Sequence, residues 1–117
     1  MKSDKRILLV SGYRDLLEST KSLMKTIGYF PVGVSNRSGA LRIYRMWDPD
    51  IVMFDRGSGD FESLPEDIRV IEKQKQTRAR IVSRTLTGSN NPIDGVDAYC
   101  NSLDIDAAFE SIGYKGA

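Results

Sequence analysis

The sequence has no histidine and only one cysteine among its 117 residues. These absences exclude a Ser-His-Asp triad, a Cys-His dyad, a phosphohistidine relay on this chain and a zinc site built from Cys and His. A disulfide framework is excluded as well, which indicates a reducing compartment. The single thiol, Cys100, is therefore expected to be a small buried apolar side chain and not a reactive group.

Long apolar segments are also missing. No run approaches the roughly 18 residues that cross a bilayer, and the basic start of the chain leads into a short strand pattern instead of a signal-peptide core. A length of 117 residues, of which 40% are hydrophobic, predicts one domain that spans residues 1–117. We expect this domain to be soluble and cytoplasmic, without contact to a membrane.

A strong excess of one charge is absent too, because 17 Lys and Arg residues nearly cancel 16 Asp and Glu residues. The chain therefore has no overall field that attracts nucleic acid or an anionic membrane. The charges are segregated, since residues 1–47 carry nine basic and three acidic groups and residues 48–68 carry one and seven. The basic cluster within 69–84 has no interleaved aromatic residues, so it does not predict nucleic-acid binding. Its members are Arg69, Lys73, Lys75, Arg78, Arg80 and Arg84.

Apolar periodicity predicts strands that alternate with helices. Continuous apolar runs at 5–10 and 51–54 are typical of central parallel strands that are covered on both faces. The strand at 29–34 contains Pro31 and Gly33 and is expected at a sheet edge. The remaining predicted strands are 79–85 and 96–100. The first predicted helix spans 14–27, and the second runs from a cap at Ser35 or Asn36 to Asp48-Pro49. The third runs from a capping box at Ser63-Leu64-Pro65-Glu66 to Gln76, and the fourth runs from Asp104 to Gly113. This alternation predicts an α/β domain with a mostly parallel sheet.

Two later segments depart from this pattern. The strand at 79–85 holds only Ile81-Val82 between polar residues, so one of its faces is expected to be exposed. The segment from Leu86 to Asp94 is rich in turn-forming residues, has no helical period and is predicted as a loop.

Four ordered landmarks carry a resemblance to a known family. They are Arg6-Ile7-Leu8-Leu9-Val10, the helix end at Gly28-Tyr29, the passage Asp48-Pro49-Asp50-Ile51-Val52-Met53-Phe54-Asp55, and Gly95-Val96-Asp97-Ala98-Tyr99. From about residue 5 to residue 113, the chain resembles the receiver domain of bacterial response regulators. The resemblance implies a doubly wound, five-stranded parallel sheet of order 2-1-3-4-5, the flavodoxin-like receiver fold. The family's fourth helix is expected to be shortened or absent, because the loop from Leu86 to Asp94 is too short to contain it.

The resemblance also assigns roles to individual residues. Asp55 matches the phosphoacceptor aspartate, which in the family works with a Mg²⁺ ion held by two adjacent acidic residues. Those acidic positions fall on Ser11 and Gly12, and the lysine of the family falls on Ser102. Because these groups are replaced together, we expect no metal ion and no cofactor at this site.

Three further positions match the conformational switch of the family. The switch hydroxyl falls on Ser83 or Thr85, and the sequence does not decide between them. The switch aromatic falls on Tyr99, which is equally well interpreted as a half-buried strand residue.

These departures predict a phosphorylation-independent, receiver-like signalling domain that acts as a protein-protein interaction module and is not an enzyme. Asp55 is then expected to pair with an arginine, either Arg14 or Arg84, because a buried carboxylate without a partner is costly. The alternative is a functional receiver of a two-component system. It would be phosphorylated at Asp55, with Asp15 or Asp60 in place of the missing acids.

The expected partner surface is the face of the last two strands that lacks a helix. Arg80, Arg84 and Ile93 are the candidate contact residues, for a signalling protein or for a second copy in a homodimer. The alternative is that Leu86 and Ile93 fold back and cover this face.

Overall fold

The computed structural model describes residues 5–86, 91–101 and 105–114. In chain order the elements are β1 (Arg6–Val10), α1 (Arg14–Thr26), β2 (Phe30–Val34), α2 (Arg37–Trp47), β3 (Ile51–Asp55), α3 (Leu64–Lys75), β4 (Arg80–Thr85), β5 (Ala98–Asn101) and α4 (Ile105–Ser111). The strands form one parallel sheet in the order β2-β1-β3-β4-β5. The predicted fold class and strand order are confirmed. Within the described residues, no helix is long and apolar enough to cross a membrane.

The core has two layers, one on each face of the sheet, because side chains alternate along the strands. Leu8, Val52 and Ile81 pack with α2 and α3. Ile7 and Val82 pack with α1 and α4 on the opposite face. β1 and β3 are therefore covered on both sides, which explains their continuous apolar sequences.

The helix starts follow local sequence signals with one exception. α2 begins after its predicted cap, where the Asn36 side chain accepts a hydrogen bond from the Gly39 amide at 2.7 Å. The capping box predicted at Ser63 is wrong, because Ser63 makes no side-chain cap hydrogen bond although α3 begins at the next residue. The φ and ψ of Ser63 are −91° and −2°, which is already helical, whereas a capping side chain needs an extended backbone at that position.

The prediction that β4 has an exposed face is wrong. All side chains from Ile81 to Thr85 are buried, and Arg80 is the exposed residue of this strand. β4 lies between β3 and β5, with α3, Ile93 and Val96 over one face and α1 and α4 over the other. A strand with a half-polar sequence can be buried in this way when its polar side chains find buried partners.

The connection between β4 and β5 has no helix in its described residues, 86 and 91–97. This agrees with a shortened or absent fourth helix. Tyr99 holds the connection instead, since its hydroxyl accepts from the Ile93 amide at 3.0 Å and donates to the Ile93 carbonyl at 3.3 Å. Ile93 thus packs against the core, whereas Leu86 stays 40% exposed. Only the first of these two residues folds back over the sheet.

Candidate functional site

Asp55 is the last residue of β3 and lies at the carboxyl edge of the sheet. The strand order reverses between β1 and β3, and ligands bind at such a reversal in open α/β sheets. In the parallel register, Asp55 stands opposite Arg84 of β4. Residues paired in neighbouring parallel strands point to the same face, so the two side chains meet.

Asp55 and Arg84 form a buried, bidentate ion pair. Nε of Arg84 donates to Oδ1 of Asp55, and Nη2 donates to Oδ2 at 2.9 Å. Nη1 of Arg84 donates to the Thr20 hydroxyl at 2.9 Å, which donates in turn to the Leu16 carbonyl at 2.7 Å. Asp55 is 3% exposed and Arg84 is 6% exposed. One fixed cation therefore binds both carboxylate oxygens, and the pair is almost entirely buried.

Arg84 is the one of the two predicted arginines that the structure brings to Asp55. Arg14 is exposed in the first turn of α1, and no contact joins it to Asp55 in the described part of the chain. The site also depends on Thr20, which sequence reasoning did not single out. A threonine in the apolar stripe of an amphipathic helix is the signal that could have indicated a polar group opposite it.

The turn between β1 and α1 carries Ser11 and Gly12, which are tied to neighbouring protein groups. The Ser11 hydroxyl accepts a hydrogen bond from the Tyr13 amide at 3.1 Å. The Gly12 amide donates to the Ser58 hydroxyl at 2.9 Å, and that hydroxyl donates to the Asp55 carbonyl at 2.7 Å. Where the resemblance places an acidic pair, this turn offers a hydroxyl and an amide that already have partners.

Gly12 leaves no room for a side chain. A Cβ atom at this position would lie 1.9 Å from the carbonyl oxygen of Ser58 and 3.0 Å from its carbonyl carbon. The obstacle is backbone, so a change of side-chain rotamer cannot remove it. An acidic residue at position 12 would require the loop after β3 to move.

Gly12→Ala is expected to lower the free energy of unfolding by about 1–3 kcal/mol, because one added methyl group must displace this loop. Urea unfolding followed by circular dichroism measures the change. Ser35→Ala, at an exposed position of the neighbouring loop after β2, is the matched control and should leave the midpoint unchanged. Equal midpoints for Gly12→Ala and the parent would contradict the close approach to Ser58.

The residues around Asp55 do not fit the Mg²⁺ site that the resemblance implies. Mg²⁺ takes oxygen ligands in near-octahedral geometry, usually one or two carboxylates together with waters. The Asp55 carboxylate is already bound by Arg84. Asp15 and Asp60, considered above as substitutes, are both exposed, and the described residues contain no group of three His, Cys, Asp or Glu side chains that could hold a metal ion.

The switch positions lie on the face of the sheet opposite to the ion pair. Along β4, Ser83 and Thr85 alternate with Arg84, so they belong to the α3 face of the sheet. Both are buried, so burial does not separate the two candidates for the switch hydroxyl. Tyr99 is half-buried and bonded to the β4–β5 connection. Ser102, at the position of the family's lysine, lies outside the described residues.

The three predicted interface residues do not form one exposed surface. Arg84 is buried in the ion pair, so its assignment to a partner surface is wrong. Ile93 is half-buried against the core. Arg80 is exposed at the start of β4, and its Nε donates to the Ser111 carbonyl. The face of β4 on which the predicted interface depended is thus covered within the domain.

A second polar cluster ties α3 to the start of β4 and β5, away from Asp55. Nη1 of Arg69 donates to the Glu72 carboxylate at 2.8 Å and to the Ala79 carbonyl at 2.9 Å. Nη2 donates to the Asp97 carboxylate at 2.6 Å and to the Gly95 carbonyl at 2.7 Å. Sequence reasoning had placed Arg69 only in the basic cluster at 69–84. Four members of that cluster form ion pairs within the protein, namely Arg69, Lys75, Arg78 and Arg84.

Two ionisable groups of this second cluster have altered acidity. Burial raises the pKa of Tyr44, and the hydrogen bond that its hydroxyl donates to Glu72 at 3.0 Å raises it further. For Asp97, burial acts to raise the pKa, but the hydrogen bond from the Ile81 amide and the charge of Arg69 outweigh it. The pKa of Asp97 is therefore lowered from its ordinary value, and the carboxylate stays ionised at neutral pH.

No family model matches the chain, and no curated protein sequence matches it significantly. Among solved structures, a CheY-like receiver domain from Methylobacillus flagellatus is 20% identical with a TM-score of 0.80, over 94% of this chain and 99% of that chain. TrrA from Thermotoga maritima, solved with Mg²⁺ and BeF, is 23% identical with a TM-score of 0.79, over 92% and 96%.

A third similar structure comes from a complex. It is the co-crystal structure of the Saccharomyces cerevisiae phosphotransfer protein Ypd1 with the receiver domain of Ssk1. The matching chain is 16% identical with a TM-score of 0.81, over 96% of this chain and 88% of that chain. The three similarities extend over nearly the whole sheet and its helices. The chain therefore has the fold of response regulator receiver domains.

Proposed function

We propose that the chain is a signalling domain that acts through contacts with a protein partner and does not depend on phosphorylation of Asp55. The observation that carries the proposal is the buried ion pair, in which Arg84 binds both oxygens of the Asp55 carboxylate. The pair supplies a fixed positive charge beside Asp55. In this proposal the domain is not an enzyme, and it holds its conformation without a phosphoryl group.

The electrostatics of phosphoryl transfer support this proposal. A phosphoryl group brings a charge of about −1.5 to −2 and needs cations placed around its oxygens. The cation that contacts Asp55 in the described part of the chain is Arg84, and attack by either carboxylate oxygen would break one of its hydrogen bonds. The turn at Ser11 and Gly12 supplies no carboxylate that could hold a metal ion in compensation.

A protein partner is supported by the similar structures. Ypd1 binds the receiver domain of Ssk1 in the co-crystal structure whose chain this fold matches. Association of the present chain with a signalling protein, or with a second copy of itself, is the corresponding proposal for this domain.

The alternative is a receiver that is phosphorylated at Asp55. It is favoured by the position of Asp55 at the end of β3 and by the similarity to TrrA, which was solved with Mg²⁺ and BeF. This alternative requires Arg84 to leave the carboxylate and an acid such as Asp15 or Asp60 to approach it.

Incubation with acetyl phosphate and Mg²⁺ decides between these functions. We expect the intact mass of the protein to remain unchanged, because the described residues form no metal site and Arg84 binds both oxygens of the carboxylate. The control is Asp55→Asn, treated in parallel. An adduct with the mass of one phosphoryl group that needs Mg²⁺ and is lost in Asp55→Asn would establish the alternative.

Beryllofluoride provides a second measurement that does not depend on a stable acyl phosphate. With Mg²⁺ and beryllofluoride present, the backbone amide resonances around Asp55 and Tyr99 are expected to stay in place. Saturable shifts at both residues would contradict the proposed function.

A further inference from the structure

An exposed aromatic and apolar surface lies where β2 meets the end of α2. Phe30 is 56% exposed and Met46 is 73% exposed, the two largest exposures among the large apolar side chains of the described residues. The Phe30 ring contacts the Trp47 ring edge to face at 6.0 Å, and the Arg6 guanidinium lies 5.7 Å from the centre of the Trp47 ring. We call Arg6, Phe30, Arg42, Met46 and Trp47 the β2–α2 surface.

The helical period explains why these residues share one surface. Ile43 and Trp47 are one turn apart and pack against the core beneath α2. Arg42 and Met46 precede them by one position each, so they form the neighbouring stripe on the solvent side. Trp47, which follows Met46 in the chain, contacts Phe30 and so connects this side of α2 to the edge of the sheet.

The side chains of the basic residues around this surface form no ion pair within the described residues, although the Arg6 amide donates to the Asp50 carboxylate at 2.9 Å. Other arginines of the described residues, such as Arg37, Arg56 and Arg69, form ion pairs with acidic side chains elsewhere in the fold. None of these ion pairs includes the four basic residues of this region, Lys5, Arg6, Arg42 and Arg45. The acidic segment at 48–68 supplies Asp48 and Asp67 to ion pairs with α2 and α3 residues instead. Among the described residues, the surface thus combines apolar side chains with an excess of positive charge, since four basic residues stand against the Asp50 carboxylate.

The free edge of β2 is unsuited to the addition of another strand. The Phe30 amide and the Val34 carbonyl form hydrogen bonds with the β1 side of the sheet. By alternation, the backbone groups that point to the free edge belong to Pro31 and Gly33. Proline has no amide hydrogen, which leaves the edge with a single donor at Gly33. A partner at this edge must therefore bind through side chains and not through backbone pairing.

We propose that the β2–α2 surface binds an acidic amphipathic helix of a partner protein. The inference rests on the proposed function, in which the domain acts through protein contacts. Apolar side chains of the partner helix at i and i+4 would contact Phe30 and Met46. Its flanking Asp and Glu residues would pair with Arg6 and Arg42, and this charge complementarity sets the choice of partner.

Other classes of ligand fit the surface less well. Nucleic acid needs open aromatic faces for base stacking, but Trp47 is covered by Arg6 on a face and by Phe30 at its side. A lipid surface needs a broader apolar area than Phe30 and Met46 provide. A helix with two or three apolar residues and a carboxylate rim matches both the size and the charge.

Trp47 reports binding directly, because it is the only tryptophan of the chain. The probe is a synthetic two-heptad helical peptide with leucines at i, i+4 and i+7 and glutamates at the other exposed positions. Titration is expected to give a saturable change of Trp47 fluorescence. The same peptide with lysine in place of glutamate should give none. Arg42→Glu and Met46→Glu are each expected to raise the dissociation constant at least about tenfold.

Two variants serve as matched controls. Arg14→Glu reverses another exposed arginine, and Val70→Glu replaces an exposed apolar residue of α3 that is 55% accessible. Both should bind the acidic peptide like the parent, and circular dichroism confirms that every variant is folded. The inference is overturned if the acidic peptide gives no fluorescence change or if the lysine peptide binds as well as the acidic peptide. It is also overturned if Arg42→Glu binds the acidic peptide with the affinity of the parent. A response only to phosphatidylserine vesicles or to oligothymidine would overturn it as well.

The outcome is independent of the mass measurement at Asp55. If the protein acquires a phosphoryl group, the proposed function fails, whatever the peptide does. If the protein stays unmodified and the acidic peptide does not bind, only the assignment of this surface fails.

Discussion

Replacement of Arg84 by methionine is expected to lower the free energy of unfolding by about 3–5 kcal/mol. The change removes a cation from both oxygens of Asp55 and a donor from the Thr20 hydroxyl. It leaves a carboxylate buried without compensation, which costs far more than the loss of an exposed ion pair. Urea unfolding followed by circular dichroism measures the effect as a lower midpoint at an unchanged slope.

A double variant separates the charge effect from the packing effect. In Asp55→Leu/Arg84→Met both charges are gone, and the unfolding free energy is expected to recover to within about 1–2 kcal/mol of the parent. Arg14→Met removes an exposed arginine near the same edge and should not shift the midpoint. A loss below about 1 kcal/mol for Arg84→Met alone would contradict the buried ion pair.

Replacement of Arg69 by methionine is expected to lower the free energy of unfolding by about 2–4 kcal/mol. The guanidinium satisfies the buried Glu72 carboxylate and also fixes the Gly95 carbonyl and Asp97 ahead of β5. Its loss therefore acts on α3 and on the β4–β5 connection together. Relative to the parent, amide hydrogen exchange in the variant should accelerate more in β5 and at residues 91–97 than in β1.

Lys73→Met on the same helix is the matched control, because Lys73 is exposed and takes part in no ion pair of the described residues. It should leave both the midpoint and the exchange pattern unchanged. Tyr44→Phe removes one hydrogen bond to Glu72 and is expected to cost about 1 kcal/mol, less than Arg69→Met. Equal losses for Lys73→Met and Arg69→Met would show that Arg69 has no special role.

The fold could be predicted from the sequence where local patterns and burial agree. The continuous apolar runs of β1 and β3 are central strands, and Pro31 lies in an edge strand, because each pattern reflects the hydrogen bonds and covering available at that place in the sheet. The Asn36 cap was predictable for the same reason, since its hydrogen bond is formed within four residues.

The candidate site could be predicted only in outline. That Asp55 needs a cation follows from its place at the end of an apolar strand, but the choice of Arg84 depends on a register between strands 29 residues apart. Thr20 lies 64 residues from Arg84, and no periodicity within α1 shows this contact. The exposed face predicted for β4 was wrong for the same reason. The sequence alone does not distinguish a buried arginine from an exposed one, because burial depends on partners that lie far away in the chain.

The close packing of Gly12 against Ser58 bears on how this chain can change through evolution. A single substitution that adds an acidic group at position 12 meets the Ser58 backbone carbonyl, so the loop after β3 must move and the protein is expected to lose stability. Release of Asp55 from Arg84 also costs stability when it occurs alone. Each single change toward a metal-dependent phosphoacceptor is therefore expected to lower the stability of the fold when it occurs alone. A metal-dependent phosphoacceptor site would thus require these changes to occur together in this chain, because each of them alone is expected to weaken the fold.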